Sequence, residues 1–223
     1  NFTGIFNTDP NICTSLLTDH YLQGRFRLWA IVGAFGDNLI ESAQKSAQSL
    51  SLSDSQLALL KQLGTYINYN AYGTTLSDLY FHPAELYRHL VDFSSPLDFI
   101  SERRDIFDQL EAGYLSDLAD VERIAPQYSN ARVAIYTLPD AVWARRVSGV
   151  FANILANQYP HRAHAIVTEI SEKICQISVR APLNHKTGAD IVCSKFPSGG
   201  GRSADEVINA IPKERFNKRK TGV

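Results

Sequence analysis

The sequence has no methionine at all and only three cysteines among its 223 residues. The cysteines, Cys13, Cys175 and Cys193, lack the spacing of a metal site, so we interpret them as reduced thiols of a cytoplasmic protein. No apolar run is long enough to cross a bilayer, so we expect no membrane partner. Because even the first position is not methionine, we expect the sequence to be a piece of a longer chain.

The chain also lacks an excess of charge of either sign. It has 22 basic and 23 acidic residues, and 44% of its residues are apolar. An apolar fraction of this size is enough for a buried core in one large or two small domains. Any affinity for nucleic acid or phosphate must come from local patches, since the net charge is only -1.

The first half of the chain is predicted to be mainly helical. Residues 12–22 have helical apolar spacing, whereas residues 29–35 are apolar throughout and fit either a helix or a strand. Residues 41–64 form two helical pieces, with Ser53 as a candidate N-cap of the second. Residues 97–125 have the pattern of one long amphipathic helix, in which Gly113 is a candidate point of interruption.

After Pro126 the pattern changes to that of a small α/β domain. Residues 132–138 are rich in β-branched and aromatic side chains and predict a strand, followed by a helix over residues 141–158. Two further strands are predicted over residues 164–170 and 174–180, and then a short helix and a short apolar element that runs through Ile211.

The glycine-rich segment Ser198-Gly199-Gly200-Gly201-Arg202 is the strongest local signal of a binding site. Consecutive glycines can form a concave nest of backbone N–H groups that binds an anion, and Arg202 would add a charged fork for phosphate oxygens. Arg180, at the end of a predicted strand, could contact the same phosphate. A flexible surface turn and the pyrophosphate loop of an acyl-CoA enzyme are the alternative interpretations.

These motifs resemble the C-terminal substrate domain of DHH-superfamily phosphoesterases, the family that includes RecJ-like nucleases and oligoribonucleases. The matching stretches, within residues 131–212, are Ser178-Val179-Arg180-Ala181, Gly188-Ala189-Asp190-Ile191-Val192 and Gly199-Gly200-Gly201-Arg202. Arg202 stands where the family usually has histidine, and Asp205-Glu206-Val207 replaces the usual small residues that follow.

The N-terminal part resembles the same family in two places. Residues 13–17, which include Ser15, are similar to the Ser/Thr-rich helix start that follows the Asp-His-His motif, and residues 34–38 resemble an apolar segment that ends in a metal-binding aspartate, here Asp37. The Asp-His-His and Asp-x-Asp motifs themselves are not in this sequence, and we expect them to lie before Asn1.

The resemblance implies an α/β protein of several parts. Residues 1–92 would be the C-terminal part of a DHH-type catalytic domain, 93–127 a helical linker, 128–213 a substrate-binding domain with a mixed sheet, and 214–223 a basic tail. It implies a phosphoesterase that uses two Mn²⁺ or Mg²⁺ ions, with Asp37 as a metal ligand. Substrate-binding residues would be Ser15, Arg180, Gly199, Gly200, Gly201 and Arg202.

The implied substrates are short single-stranded nucleic acids or small phosphorylated nucleotides. Two other functions stay open from the residues alone, a non-catalytic nucleotide-binding module and an acyl-CoA-dependent transferase that uses the glycine-rich loop. The oligomeric state is also open, a homodimer included.

Overall fold

The structure is a computed structural model that describes residues 4–201 and 205–214. The chain forms two compact units. The first runs to Ala71 and resumes over Leu79–Tyr114, and the second comprises Tyr72–Asp78 and the described residues from Leu115 onward.

The first unit is helical. Its helices are α1 (Thr14–Tyr21), α2 (Arg27–Gly36), α3 (Ile40–Ala47), α4 (Asp54–Tyr69), α5 (Pro83–Leu90), α6 (Pro96–Glu102) and the part of α7 (Arg104–Val121) up to Tyr114. Ser53 is the N-cap of α4, as predicted, and it forms a capping box with Gln56. The Ser53 hydroxyl accepts from the Gln56 backbone N–H, and the Gln56 side chain accepts from the Ser53 backbone N–H. Proline in the first turn helps to start both α5 and α6.

The apolar segment at residues 29–35 lies within helix α2. Five of its residues are buried, Ala30, Ile31, Val32, Ala34 and Phe35, which is why its apolar positions show no single stripe. Helix α4 crosses α2 at Gly64, where a Cβ atom would lie 2.2 Å from the Val32 carbonyl oxygen. A glycine is therefore needed at this crossing for the two backbones to approach so closely.

The predicted helix over residues 97–125 is two helices, and the break lies at Arg103 instead of Gly113. Arg103 leaves the helical conformation with φ −116° and ψ 48°, and its guanidinium pairs with Asp105 and contacts a ring nitrogen of His89. Gly113 lies inside α7, where a Cβ atom would come 2.5 Å from the Tyr80 ring. The glycine makes room for an aromatic ring and does not end the helix.

The second unit is built on a six-stranded mixed sheet in the order β1-β2-β3-β4-β6-β5. Its strands are β1 (Tyr128–Ser129), β2 (Val133–Leu138), β3 (Ala163–Glu169), β4 (Ile174–Arg180), β5 (Gly199–Gly201) and β6 (Asp205–Pro212). Strands β2 and β3 are parallel, and helix α8 (Val142–Gln158) connects them; the other neighbouring strands are antiparallel. Helix α9 (Ala189–Cys193) and a 3₁₀ helix (Leu76–Asp78) complete the described elements of this unit.

The predicted α/β class with a mixed sheet is confirmed. A compact apolar cluster covers one face of the sheet and includes Cys193 of α9; its other buried members are Val167, Cys175, Ile177, Ile208 and Ile211. The final apolar element of the sequence analysis is the long strand β6, which pairs with both β4 and β5. Within the described ranges, no helix combines the length and apolarity that spanning a bilayer requires.

Candidate functional site

The first unit contains a cavity of about 690 Å³ between α1, α2 and α4. Its walls are largely apolar and aromatic, with Leu22, Phe26, Trp29, Val32 and Ile67 among the lining residues. The polar residues of the lining are Thr14, Ser15, Thr18, Asp19, Asp37 and Asn68. A mostly apolar cavity with a few polar groups is the usual form of a small-molecule site.

The structure places two of the predicted site residues, Ser15 and Asp37, in the lining of this one cavity. Asp37 follows the last residue of α2 and is exposed, and Ser15 lies in the first turn of α1. The Ser15 hydroxyl donates to the Ala30 carbonyl at 3.3 Å. A Cβ atom at Gly33 would lie 2.4 Å from the Ser15 Oγ, so glycine at that position lets α1 pack closely on α2.

Sequence reasoning missed Asp19, which is buried in the same lining with 4% of its surface exposed. Its Oδ2 accepts a hydrogen bond from Arg27 Nε, while its Oδ1 is buried and has no hydrogen-bond partner in the described part of the chain. The signal in the sequence was its position four residues after Ser15, which puts both residues on one face of a helix.

The donor atoms of the cavity suit a hard divalent cation, which prefers oxygen ligands. Asp37 offers a carboxylate, Ser15 a hydroxyl and Asn68 a side-chain carbonyl. The described residues contain no group of three or more His, Cys, Asp or Glu residues that could together hold a metal ion. Asp37 is therefore a single candidate ligand, and the metal site stays a prediction.

The predicted phosphate-binding residues of the second unit lie at one end of the sheet. Arg180 is the last residue of β4 and is paired with Asp205, and Gly201 is the last residue of β5 and is paired with Glu206. Strand β6 thus lies between the strand that carries Arg180 and the strand of the three glycines. The predicted residue Arg202 lies outside the described residues.

The guanidinium of Arg180 donates hydrogen bonds to other residues of the second unit. Its Nε donates to Asn153 Oδ1 at 2.9 Å, and one terminal nitrogen donates to Ser178 Oγ at 3.2 Å and to the Val179 carbonyl at 3.1 Å. Because Asn153 belongs to α8, Arg180 is oriented by a helix that its own strand packs against.

The three glycines form an edge strand and not the concave nest that the sequence suggested. Among the described glycines, positive φ occurs at Gly24 and Gly188. Gly199 is needed for another reason, since a Cβ atom there would lie 2.0 Å from the Cys193 carbonyl oxygen. The N–H of Gly199 donates to the Phe196 carbonyl at 3.0 Å, so this glycine offers no free donor to an anion.

Two buried acids of the second unit, Asp78 and Asp117, are paired with arginines of α8. Arg145 donates to both carboxylate oxygens of Asp78, at 3.0 and 2.9 Å, and also to Asp140. Arg146 donates to both oxygens of Asp117, at 2.7 and 2.9 Å. The hydrogen bonds from Arg145, together with those from two backbone N–H groups, lower the pKa of Asp78 to about 2.

His164 on β3 differs from these paired groups. Only 1% of it is exposed, and neither ring nitrogen has a hydrogen-bond partner among the described residues. Burial, with a smaller contribution from the charge of Arg162, lowers the pKa of His164 to about 4. His164 is paired with Arg180 across the sheet and therefore lies on the same face.

A comparison of the sequence with family models and with curated proteins gave no match. Among solved structures, the chain is similar to the pGpG-specific phosphodiesterase PggH from Vibrio cholerae, with a TM-score of 0.56 and 13% sequence identity. The similarity covers 96% of this chain and 72% of that one. The chain thus has a fold like that of a phosphodiesterase.

Proposed function

We propose that this chain is part of a metal-dependent phosphoesterase of the DHH type that hydrolyses short oligonucleotides or small phosphorylated nucleotides. The observation that carries the proposal is the fold similarity to a phosphodiesterase of a dinucleotide over 96% of the chain. The motif resemblance supports it independently, because it rests on residues 178–181, 188–192 and 199–202 and not on the overall fold.

The cavity of the first unit supports the same proposal. It brings Ser15 and Asp37 together with Asn68, and its volume of about 690 Å³ is within the range of small-molecule sites, roughly 300–1,000 Å³. In the proposed enzyme, Asp37 is a ligand of the metal ion and Ser15 contacts the substrate. A bound Mn²⁺ or Mg²⁺ ion would supply a water of lowered pKa as the nucleophile and would stabilise negative charge on the phosphoryl group.

The second unit contributes the groups that hold a phosphate in this proposal. Arg180 is fixed by Asn153 and Ser178, so little side-chain freedom is lost when it contacts an anion. The edge strand Gly199–Gly201 lies at the same end of the sheet. Glu206 is buried and is paired with Val179, a residue of the face opposite to Arg180, which limits its repulsion of a phosphate at Arg180.

Hydrolysis of the dinucleotide pGpG in the presence of Mn²⁺ tests the proposal, with release of GMP as the readout. It is measured on this chain and on any longer product of its gene. We expect Asp37→Ala to reduce turnover to background because the metal ion loses a carboxylate ligand. Asp108→Ala, which removes an exposed carboxylate from α7 of the same unit, is the matched control and keeps full activity.

The other outcomes separate the alternatives. Unchanged activity in Asp37→Ala would remove the metal ligand from the proposal. Tight nucleotide binding without turnover by the longest product would favour the non-catalytic module. Acetyl-CoA binding that is lost in Arg202→Ala would favour the acyl-CoA-dependent transferase.

A further inference from the structure

We propose that one end of the sheet in the second unit binds single-stranded nucleic acid. The binding surface consists of residues 127–132, 159–162 and 182–187, which we call the basic end surface. The inference rests on the proposed function for the class of ligand. It adds a binding surface that uses none of the site residues predicted from the sequence.

The three segments of the basic end surface lie at the same end of the sheet. Strands β2 and β3 are parallel and begin side by side, with Val133 paired with Ala163, and the antiparallel strand β4 ends where β3 begins. Hydrogen bonds also join the segments. The Ala163 N–H donates to the Arg132 carbonyl at 2.9 Å, and the Asn184 N–H donates to the Pro160 carbonyl at 3.2 Å. The three segments therefore form one continuous surface.

The basic end surface has positive charge and no acidic residue of its own. It contains Arg132, Arg162 and Lys186, and no aspartate or glutamate occurs in its three segments. The described ion pairs of the second unit use other basic residues, which are Arg123, Arg145, Arg146 and Lys213. A local excess of positive charge attracts phosphate groups even though the net charge of the whole chain is -1.

Exposed aromatic rings accompany these charges. Tyr128 is 52% exposed and Tyr159 is 44% exposed. The Arg162 guanidinium lies over the Tyr159 ring at 4.3 Å, and one of its terminal nitrogens donates to Ser129 Oγ at 3.3 Å. Because two neighbours hold Arg162 in place, little side-chain freedom is lost when it contacts a ligand.

This combination of groups fits a single strand better than a duplex. The faces of unpaired bases are open, and they stack on aromatic rings and on the planes of arginine guanidinium groups. A duplex keeps these faces inside its own stack. In the order of the strands, residues 159–162 lie between the other two segments. A base would therefore stack at Tyr159 and Arg162, while Arg132 and Lys186 on the flanking segments contact backbone phosphates.

The first experiment measures binding of a fluorescently labelled oligouridylate by anisotropy, with EDTA present so that no metal-dependent hydrolysis occurs. The same probe annealed to oligoadenylate is the duplex control, and we expect the unmodified chain to bind the single strand more tightly. We expect Tyr159→Leu to weaken binding about tenfold, because one stacked base loses its aromatic partner. Tyr159→Phe keeps the ring and should retain the affinity of the unmodified chain.

The second experiment tests the phosphate contacts through the dependence of binding on salt. Arg132→Ala and Lys186→Ala should each reduce the slope of log affinity against log salt concentration by about 0.7, the value for one phosphate contact of a single strand. Lys173→Ala is the matched control, because it removes an exposed lysine from the turn between β3 and β4 at the opposite end of the sheet. It should leave the affinity and the slope unchanged.

Equal binding of single strand and duplex by the unmodified chain would overturn the inference, and so would full affinity in folded Tyr159→Leu, since either result indicates a surface for any polyanion. A loss in Lys173→Ala equal to that in Lys186→Ala would also overturn it. Hydrolysis of pGpG by a chain that does not bind oligouridylate would remove the basic end surface and leave the proposed phosphoesterase in place. Oligouridylate binding without hydrolysis would support the surface and count against the enzyme.

Discussion

The two units differ in how many carboxylate oxygens of their buried aspartates accept hydrogen bonds. In the second unit, Asp78 and Asp117 each accept two hydrogen bonds from an arginine, so the charges are compensated inside the unit. In the first unit, Asp19 is similarly buried but has a hydrogen bond to only one oxygen. The difference indicates that the buried ion pairs on α8 stabilise the fold of the second unit, whereas one carboxylate oxygen of Asp19 is buried without a compensating hydrogen bond from the described residues.

The largest expected effect comes from removing the arginine that donates to both oxygens of a buried acid. Arg146→Ala removes both hydrogen bonds to Asp117, which is 2% exposed. We expect a loss of about 3–5 kcal/mol in the free energy of unfolding, as for other buried pairs that lose one partner. Urea unfolding measures it, with Arg104→Ala as a control, because the Arg104–Asp108 pair is about half exposed and such pairs contribute about 0.3–0.5 kcal/mol. Equal losses in the two variants would contradict the comparison.

His164 of the second unit, whose two ring nitrogens are buried without hydrogen-bond partners among the described residues, predicts a dependence of stability on pH. Its pKa is lowered from 6.5 to about 4 in the folded state, so the unfolded chain binds more protons between these values. Stability is therefore retained above pH 6.5 and decreases as the pH falls towards 4, by about 3 kcal/mol in total. Thermal unfolding at several pH values measures this change.

His164→Phe should abolish the decrease in this pH window, because an apolar ring has nothing to protonate. His185→Phe, at an exposed position of the same unit, should retain it. The contribution of Asp78 is separate, since its pKa of about 2 confines its loss of stability to the range below its ordinary value of 3.8. A decrease that persists in His164→Phe would show that another group is responsible.

The smallest effect concerns a satisfied polar group of the first unit. Ser53→Ala removes the side-chain acceptor of the capping box at the start of α4. We expect a loss of about 1 kcal/mol, typical of an N-cap serine. Chemical denaturation is again the measurement, and Ser49→Ala, an exposed serine in the preceding loop, should change stability by less than about 0.5 kcal/mol. A similar loss in both variants would mean that the capping box adds nothing specific.

The regular elements of the second unit could be predicted from the sequence because local patterns determine them. The predicted strands 164–170 and 174–180 correspond to β3 (Ala163–Glu169) and β4 (Ile174–Arg180), since β-branched residues flank a short polar turn. The break at Arg103 could not be predicted in this way. It depends on contacts of Arg103 with Asp105 and His89, and the latter lies on another helix.

The candidate site was predictable only where a motif carries it. Ser15 and Asp37 were identified from their resemblance to a family, and the structure places both in one cavity lining. Asp19 belongs to no motif, and its free oxygen exists only because Arg27 reaches Oδ2 alone. The need for a glycine at position 199 could not be predicted either, because the carbonyl that excludes a side chain there belongs to Cys193 in another element.

The segment Tyr72–Asp78, which lies between two parts of the first unit in sequence but belongs to the second, has a consequence for how such a protein can evolve. These residues belong to the second unit although the sequence on both sides of them belongs to the first. Asp78 supplies the buried partner of Arg145, and the Tyr72 ring packs where a side chain at Gly149 would otherwise lie. A recombination event that transferred only the residues from Leu115 onward would separate both groups from α8. The two units are therefore expected to be inherited together and not to be shuffled as independent modules.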